Sequence, residues 1–119
     1  SESKGVYQGK IFVKDVAQKT DAYQLSKAIL LSERSEFDSK PELEIYADDV
    51  KCSHGSTSGS LDKDSIYYLM TRGLSKKEST KLLVNGFLNE VTESIKSNSI
   101  KNFIKNKLEE QLSNEYKKD

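Results

Sequence analysis

Residues 41–59 read PELEIYADDVKCSHGSTSG and hold the only proline, the only cysteine and the only histidine of the chain. Residues 41–47 show the alternation of apolar and polar side chains that is typical of a strand. After the two aspartates at 48 and 49 the alternation resumes on the opposite parity, with Cys52 and His54 on one face. Because one extra residue turns every later side chain to the other face, this pattern predicts a corner or bulge at the aspartates.

The composition excludes several classes of protein. The chain has 119 residues, which suits one domain or a piece of a larger one. Lys and Arg together number 19, as do Asp and Glu, so the chain lacks the positive surplus that nucleic-acid binding requires. The longest apolar run, at 28–31, is far too short to span a membrane. A single cysteine excludes an internal disulfide and favours a reducing, cytoplasmic setting.

The first half of the chain reads as β structure. Residues 5–16 contain short β-rich pieces, and residues 22–31 fit either one helix or two strands broken near 24–27. Residues 32–40 are polar and predict a turn, after which Pro41 begins the next strand. Because no helical segment separates these short strands, a βαβ sheet is excluded, and a meander, a sandwich or β-helix coils remain.

The apolar content is 34%, which is low for a globule that folds by itself. We therefore expect the chain to be a piece of a longer protein. In that case the strand at 6–13 would form an edge that normally pairs with sequence outside this chain.

The second half reads as three helices. Asp62 can cap a first helix over Lys63–Thr71 that ends before Gly73. Residues 75–78, SKKE, form a capping box that begins a second helix. Apolar side chains at three- and four-residue spacing mark the second helix at Leu82, Leu83, Phe87, Val91 and Ile95, and the third at Ile100, Phe103, Ile104, Leu108 and Leu112. Strands followed by helices predict an α+β fold, and the helices lack the basic face of a DNA-recognition helix.

His54 and Cys52 are the candidate site residues. Imidazole and thiolate are both ligands for iron or zinc, although a lone histidine is more often structural and a lone cysteine more often a buried apolar residue. Two ligands make half of a tetrahedral site, so a complete site would need residues from another chain. Residues two apart on a strand lie about 6–7 Å apart, which is too far for His54 to activate Cys52 as in a hydrolase. No catalytic residue is identified, and the chain is predicted not to be an enzyme.

Three other motifs carry weaker signals. Residues 55–60, GSTSGS, lack the Lys-Ser/Thr ending of a phosphate-binding loop and predict a flexible connector between the strands and the helices. The aspartates at 48 and 49 could bind a cation, but a solvated corner is the simpler interpretation. The lysine-rich end at 101–118 has interspersed glutamates and is typical of a solvated helix face.

Residues 41–79, with GVYQGKIFV at 5–13, resemble the C-terminal signature of the SufB/SufD family of iron–sulfur cluster assembly proteins. The segment ADDVKCSHG at 47–55 carries most of the resemblance, which extends over residues 5–91. The SufB branch typically has His-Glu-Ala-Thr where this chain has Ser-His-Gly-Ser at 53–56, so the chain is more similar to the SufD branch.

The resemblance implies a fold, partners and a site. Residues 1–61 would form the last coils of a right-handed parallel β-helix, and residues 62–119 a C-terminal helical domain that docks a SufC-like ABC ATPase. The chain would be a scaffold subunit of the SufBCD complex, paired with a SufB-like subunit. His54 and Cys52 fall on the histidine and the cysteine of the family's KCSHG motif. The cluster-forming site of the family lies near the SufB–SufD interface and uses a SufB cysteine and a SufD histidine. The resemblance therefore implies that His54 binds the iron of a nascent Fe–S cluster, with Cys52 either a second metal ligand or a buried structural residue.

The same resemblance implies that the cluster is held transiently in the full complex, with none expected on the isolated chain. It implies no nucleic-acid or membrane partner, and a cytoplasmic location. The open end of the β-helix would allow two copies of this chain to form a homodimer. Two alternatives stay open: a SufB-like cluster-carrying subunit, and a purely structural ATPase-docking module with no direct iron ligand.

Overall fold

The computed structural model describes residues 2–115, without the side chain of residue 115. The first residue of the predicted β-helix part and the last four of the predicted helical domain therefore lie outside the described residues. Four strands precede three helices, which confirms the predicted α+β fold. The strands are β1 (Ser3–Val13), β2 (Asp21–Leu30), β3 (Ser35–Ile45) and β4 (Lys51–Ser60). The helices are α1 (Lys63–Thr71), α2 (Lys76–Thr92) and α3 (Asn98–Glu115).

The chain divides between Leu61 and Asp62 into two compact units. In the first unit β1 pairs with β3, and β2 pairs with β4, in two separate parallel sheets. Ser3 lies opposite Ser35 in one sheet, an offset of 32 residues, and Asp21 opposite Lys51 in the other, an offset of 30. The chain therefore alternates between the two sheets, so that every second strand belongs to the same sheet. A strand takes the place of the helical crossover that usually joins parallel strands.

The prediction for residues 22–31 is wrong. The segment at 22–31 is neither a helix nor two broken strands, because β2 runs without interruption over Asp21–Leu30. Its apolar Tyr23 and Leu25 are 62% and 49% exposed, whereas Ser26 is buried. The strand is held by backbone pairing to β4 rather than by an apolar inner face, so hydrophobic periodicity could not identify it.

The segment at 32–40 is a turn only at its beginning, because β3 starts at Ser35. Glu36 and Asp38 lie on the exposed side of β3, where Lys4 of β1 pairs with Asp38 at 3.0 Å. Pro41 is inside β3, opposite Gly9, and does not begin a strand. Proline is tolerated there because, among the residues that the structure describes, β3 pairs along one edge only, and its other edge needs no N–H donor. The strands are also long, at 10–11 residues, and not short as predicted.

The helical unit follows its local sequence signals closely. The Asp62 side chain accepts a hydrogen bond from the backbone N–H of Asp64, and Gly73 has a φ of 103° just beyond α1. The capping box at the start of α2 is present, since Ser75 and Glu78 each bond the backbone N–H of the other. Such caps satisfy N–H groups that a helix end leaves without a partner.

The predicted apolar stripes of the second and third helices are only partly correct. α2 ends at Thr92, so Ile95 is outside it, and the buried residues of α2 are Ser79, Val84 and Thr92. Leu82, Val91, Ile100 and Phe103 are all more than half exposed. None of the described helices combines the length and the apolar character that crossing a lipid bilayer would require.

Candidate functional site

The corner between β3 and β4 sets the direction of the candidate ligands. The predicted corner at 48 and 49 is confirmed, since β3 ends at Ile45 and β4 begins at Lys51. This corner stacks on the one between β1 and β2: the N–H of Asp49 donates to Oε1 of Gln18 at 2.9 Å, and the N–H of Lys51 donates to the carbonyl of Thr20 at 2.8 Å. Hydrogen bonds to residues of that earlier corner therefore fix the path of the backbone before β4.

β4 carries both predicted ligands on one face, as the alternation indicated. Cys52 lies opposite Ala22 and His54 opposite Gln24 in the parallel register with β2. The Cys52 thiol is free and half-buried, whereas His54 is exposed. The predicted connector at 55–60 is part of β4, so that prediction is wrong.

The face that bears the ligands is the one directed towards the β1–β3 sheet. Paired residues of neighbouring strands share a face, so Gln24 and His54 point the same way. The Gln24 amide reaches Gly9 of β1: its Nε2 lies 2.6 Å from the point that a Cβ on Gly9 would occupy. Cys52 and His54 therefore project from β4 on the inner side of the strand pair.

This arrangement supplies part of a metal site. Among residues 2–115, no group of three or more His, Cys, Asp or Glu side chains is placed to hold a metal ion. A thiolate and an imidazole are nevertheless ligands that suit iron, and an exposed imidazole on a strand can be reached by a second protein. The two side chains fit as one partner's contribution to a shared site. With about 6–7 Å between residues two apart on a strand, they do not form a nucleophile–base pair.

The sequence-based reasoning missed one polar neighbour of the site. Gln24 belongs to the segment that was ambiguous between helix and strands, and its position beside His54 depends on a pairing 30 residues away. The only sequence signal for it is the alternation of Ala22, Gln24, Ser26 and Ala28, whose even parity matches that of Cys52 and His54 across the sheet.

Comparison with known proteins identifies the family. The family model for the SUF system FeS cluster assembly, SufBD core domain, matches residues 1–87. The chain belongs to the SufB/SufD family. The match spans all four strands of this SufB/SufD family chain, together with α1 and most of α2.

Similar proteins carry names that concern the same process. The chain is 39% identical over 100 residues to the iron-sulfur cluster assembly protein SufD of Escherichia coli, which covers 84% of this chain and 24% of that protein. It is 41% identical over 93 residues, 78% of the chain and 20% of the relative, to an iron-sulfur cluster assembly SufBD family protein of Synechocystis. It is 34% identical over 96 residues to SufD of Bacillus subtilis, covering 81% of the chain and 22% of that protein. This SufB/SufD family chain thus spans about a quarter or less of these relatives.

Proposed function

We propose that this chain is part of a scaffold subunit on which iron–sulfur clusters are assembled in the cytoplasm. The observation that carries the proposal is the exposed imidazole of His54, with the Cys52 thiol two residues before it on the same inner face of β4. In a SufB/SufD family chain, this pair matches the chemistry of iron in a nascent cluster. The cluster is a substrate held in transit, and the isolated chain is not expected to retain it.

The four strands are proposed to be the last coils of a right-handed parallel β-helix. Support comes from the parallel pairing at offsets of 30 and 32 residues and from the alternation of consecutive strands between two sheets. The corner at 46–50, hydrogen-bonded to the corner between β1 and β2, has the stacking that successive coils of such a helix require. The helices from residue 62 onward form the second unit of this arrangement.

The remaining iron ligands are proposed to come from a SufB-like subunit. Two donors on one strand are half of a tetrahedral set, so the site is complete only at an interface. Within the described residues β3 and β4 each pair along one edge. An unpaired edge supports backbone pairing with a SufB-like subunit, or with a second copy of this chain in its absence. The subunit itself performs no covalent catalysis in this proposal.

The helical unit is proposed to dock a SufC-like ABC ATPase. Helix α1 exposes two aromatic side chains, Tyr67 at 71% and Tyr68 at 61%, and also Met70 at 43%. Exposed aromatic and methionine side chains are typical of surfaces that bind another protein. Nucleotide hydrolysis by the partner would supply the energy for a movement that opens the cluster site.

The experiment is replacement of His54 in the full-length complex. We expect His54→Ala to abolish cluster formation, measured by the visible absorption of the Fe–S chromophore and by iron and sulfide content. Ser58→Ala is the matched control, because Ser58 lies on the same strand and parity and is exposed. Cluster assembly at the wild-type rate in a stable His54→Ala complex would overturn the proposed role.

A purely structural docking module is the second candidate, and the exposed aromatic side chains of α1 favour it. It predicts that His54→Ala is harmless while Tyr67→Ala combined with Tyr68→Ala prevents capture of the ATPase. Loss of cluster assembly in His54→Ala with ATPase binding intact would contradict this candidate.

A further inference from the structure

Gln24 is the side chain that lies beside His54 in the sheet. The two residues are directly opposite each other in the parallel pairing of β2 with β4, and their side chains share a face. Adjacent strands are about 4.8 Å apart, so the amide of a glutamine is within reach of a neighbouring imidazole. Unlike His54, Gln24 is half-buried.

The Gln24 amide lies between the two sheets, in space that is free because Gly9 has no side chain. Its Nε2 lies 2.6 Å, and the Tyr7 hydroxyl 2.8 Å, from the point that a Cβ on Gly9 would occupy. A larger residue at position 9 would have to displace both groups. Across residues 2–115, the structure shows no hydrogen bond that engages the Gln24 side chain. No protein group within these residues therefore competes for the Gln24 side-chain carbonyl, which is available to a new hydrogen-bond donor.

We infer that Gln24 is a positioning residue for His54. A histidine that binds a metal through one ring nitrogen almost always donates its other N–H to a carboxylate, a carbonyl or water, which fixes the tautomer and the ring plane. The side-chain carbonyl of Gln24 is an acceptor of this kind, next to His54 in register. When His54 binds iron, Gln24 Oε1 accepts the hydrogen bond from the free ring N–H. The inference rests on the proposed role of His54 as an iron ligand.

The test measures the affinity of Co²⁺, a spectroscopic substitute for iron, for the full-length subunit in complex with its SufB-like partner. Gln24→Leu removes the acceptor with little change of volume, and Gln24→Glu keeps an acceptor. Gln8→Leu is the matched control, because Gln8 lies on the outer side of β1 with its amide bonded to Glu42 at 3.3 Å. Each substitution at position 24 is made with His54 present and with His54→Ala, which forms a double-mutant cycle.

We expect Gln24→Leu to weaken Co²⁺ binding about 10- to 100-fold, the range for loss of an outer-shell partner of a metal ligand. We expect Gln24→Glu to retain the affinity, Gln8→Leu to have no effect, and Gln24→Leu to have no further effect once His54 is alanine. If His54→Ala weakens binding but Gln24→Leu does not, or if Gln24→Leu acts equally without His54, the inference about Gln24 is wrong. If His54→Ala leaves the affinity unchanged, the proposed function itself fails.

Discussion

The backbone N–H of Asp49 donates a hydrogen bond to the side-chain Oε1 of Gln18, 2.9 Å away and 31 residues earlier in the chain. The Gln18 side chain is fixed in turn by a bond of 2.7 Å from its Nε2 to the carbonyl of Asp15. One side chain therefore joins the corner between β1 and β2 to the corner between β3 and β4. The corner that it supports is the one that directs Cys52 and His54 inward.

Replacing Gln18 should weaken this junction. We expect Gln18→Ala to lower the free energy of unfolding by about 1 kcal/mol, the usual net value of one intramolecular hydrogen bond. Urea denaturation measures the change. Gln8→Ala is the control, because the one bond of the Gln8 side chain, to Glu42 on the neighbouring strand, joins no corners and its loss should cost less than about 0.5 kcal/mol. Equal losses for the two variants would mean that the corner junction does not contribute.

Gly9 should matter for the site more than for stability. The atoms that Gly9→Ala would meet are the ends of the Gln24 and Tyr7 side chains, both able to move away. Alanine also restricts the unfolded chain more than glycine does, so we expect stability to stay within about 1 kcal/mol of wild type. We expect Co²⁺ binding by the complex to weaken nonetheless, because the Gln24 amide is displaced. Gly59→Ala, where the added Cβ meets no atom within 4 Å, should change neither quantity.

The capping box of α2 should make stability depend on acid pH. Hydrogen bonds from the Ser75 hydroxyl and backbone N–H lower the pKa of Glu78 below its ordinary value of 4.5. A carboxyl group whose pKa is lower when folded stabilises the fold above its unfolded pKa, and the effect is lost as pH falls through the folded pKa. We expect Glu78→Gln, which keeps the capping geometry, to lose less stability than wild type between pH 7 and about pH 3. Equal losses in urea titrations at the two pH values would contradict this.

Glu93 should connect two helices through charge. It lies just after α2 and pairs with Lys105 and, at 3.2 Å, with Lys101, both in α3. Hydrogen bonds from Lys105 and then Lys101 lower the pKa of the Glu93 carboxyl. We expect Glu93→Gln to lower the melting temperature at low ionic strength, with a smaller difference in about 1 M salt, where charges are screened within about 3 Å.

The comparison for Glu93 is Glu110→Gln. Glu110 pairs with Lys107 inside α3 at a spacing of three residues, so it joins no second element. Its loss should shift the melting temperature less. Circular dichroism measures the melting temperatures of the two variants and of the wild type at low ionic strength and in about 1 M salt. A larger shift for Glu110→Gln would show that the Glu93 pairs do not hold the helices together.

The helical unit could be predicted from sequence because its signals are local. Asp62, the Ser75–Glu78 box and Gly73 each act within one turn of a helix, and each occupies its predicted position. Burial was harder to predict. Ser79 is fully buried whereas Leu82 is 51% exposed, because the contacts between helices, and not the spacing of apolar residues alone, decide which side is covered.

The strands could be predicted only where their alternation is regular. The segment around Leu43 and Ile45 was recognised as a strand, whereas β2 was ambiguous, since its larger apolar side chains face outward. Parallel pairing at offsets of 30 and 32 residues leaves no local trace in the sequence. The same limit applies to the candidate site. The alternation within one strand predicts that Cys52 and His54 share a face. Only the register between β2 and β4 places Gln24 beside His54.

The five residues between Ile45 and Lys51 have a consequence for how such a protein can change over generations. The side chains of Asp48 and Asp49 are exposed, and Asp49 and Lys51 bond the corner between β1 and β2 through their backbone atoms, so the identity of the two aspartates is open to substitution. If the pairing of β4 with β2 shifted by one residue to absorb the loss or gain of a single codon here, Cys52 and His54 would turn to the opposite face of β4 without either of them being altered. A change of two codons would restore the direction. A change of length in this short interval can therefore turn the two predicted ligands without replacing them, and a sequence that keeps both residues could still have lost their common direction.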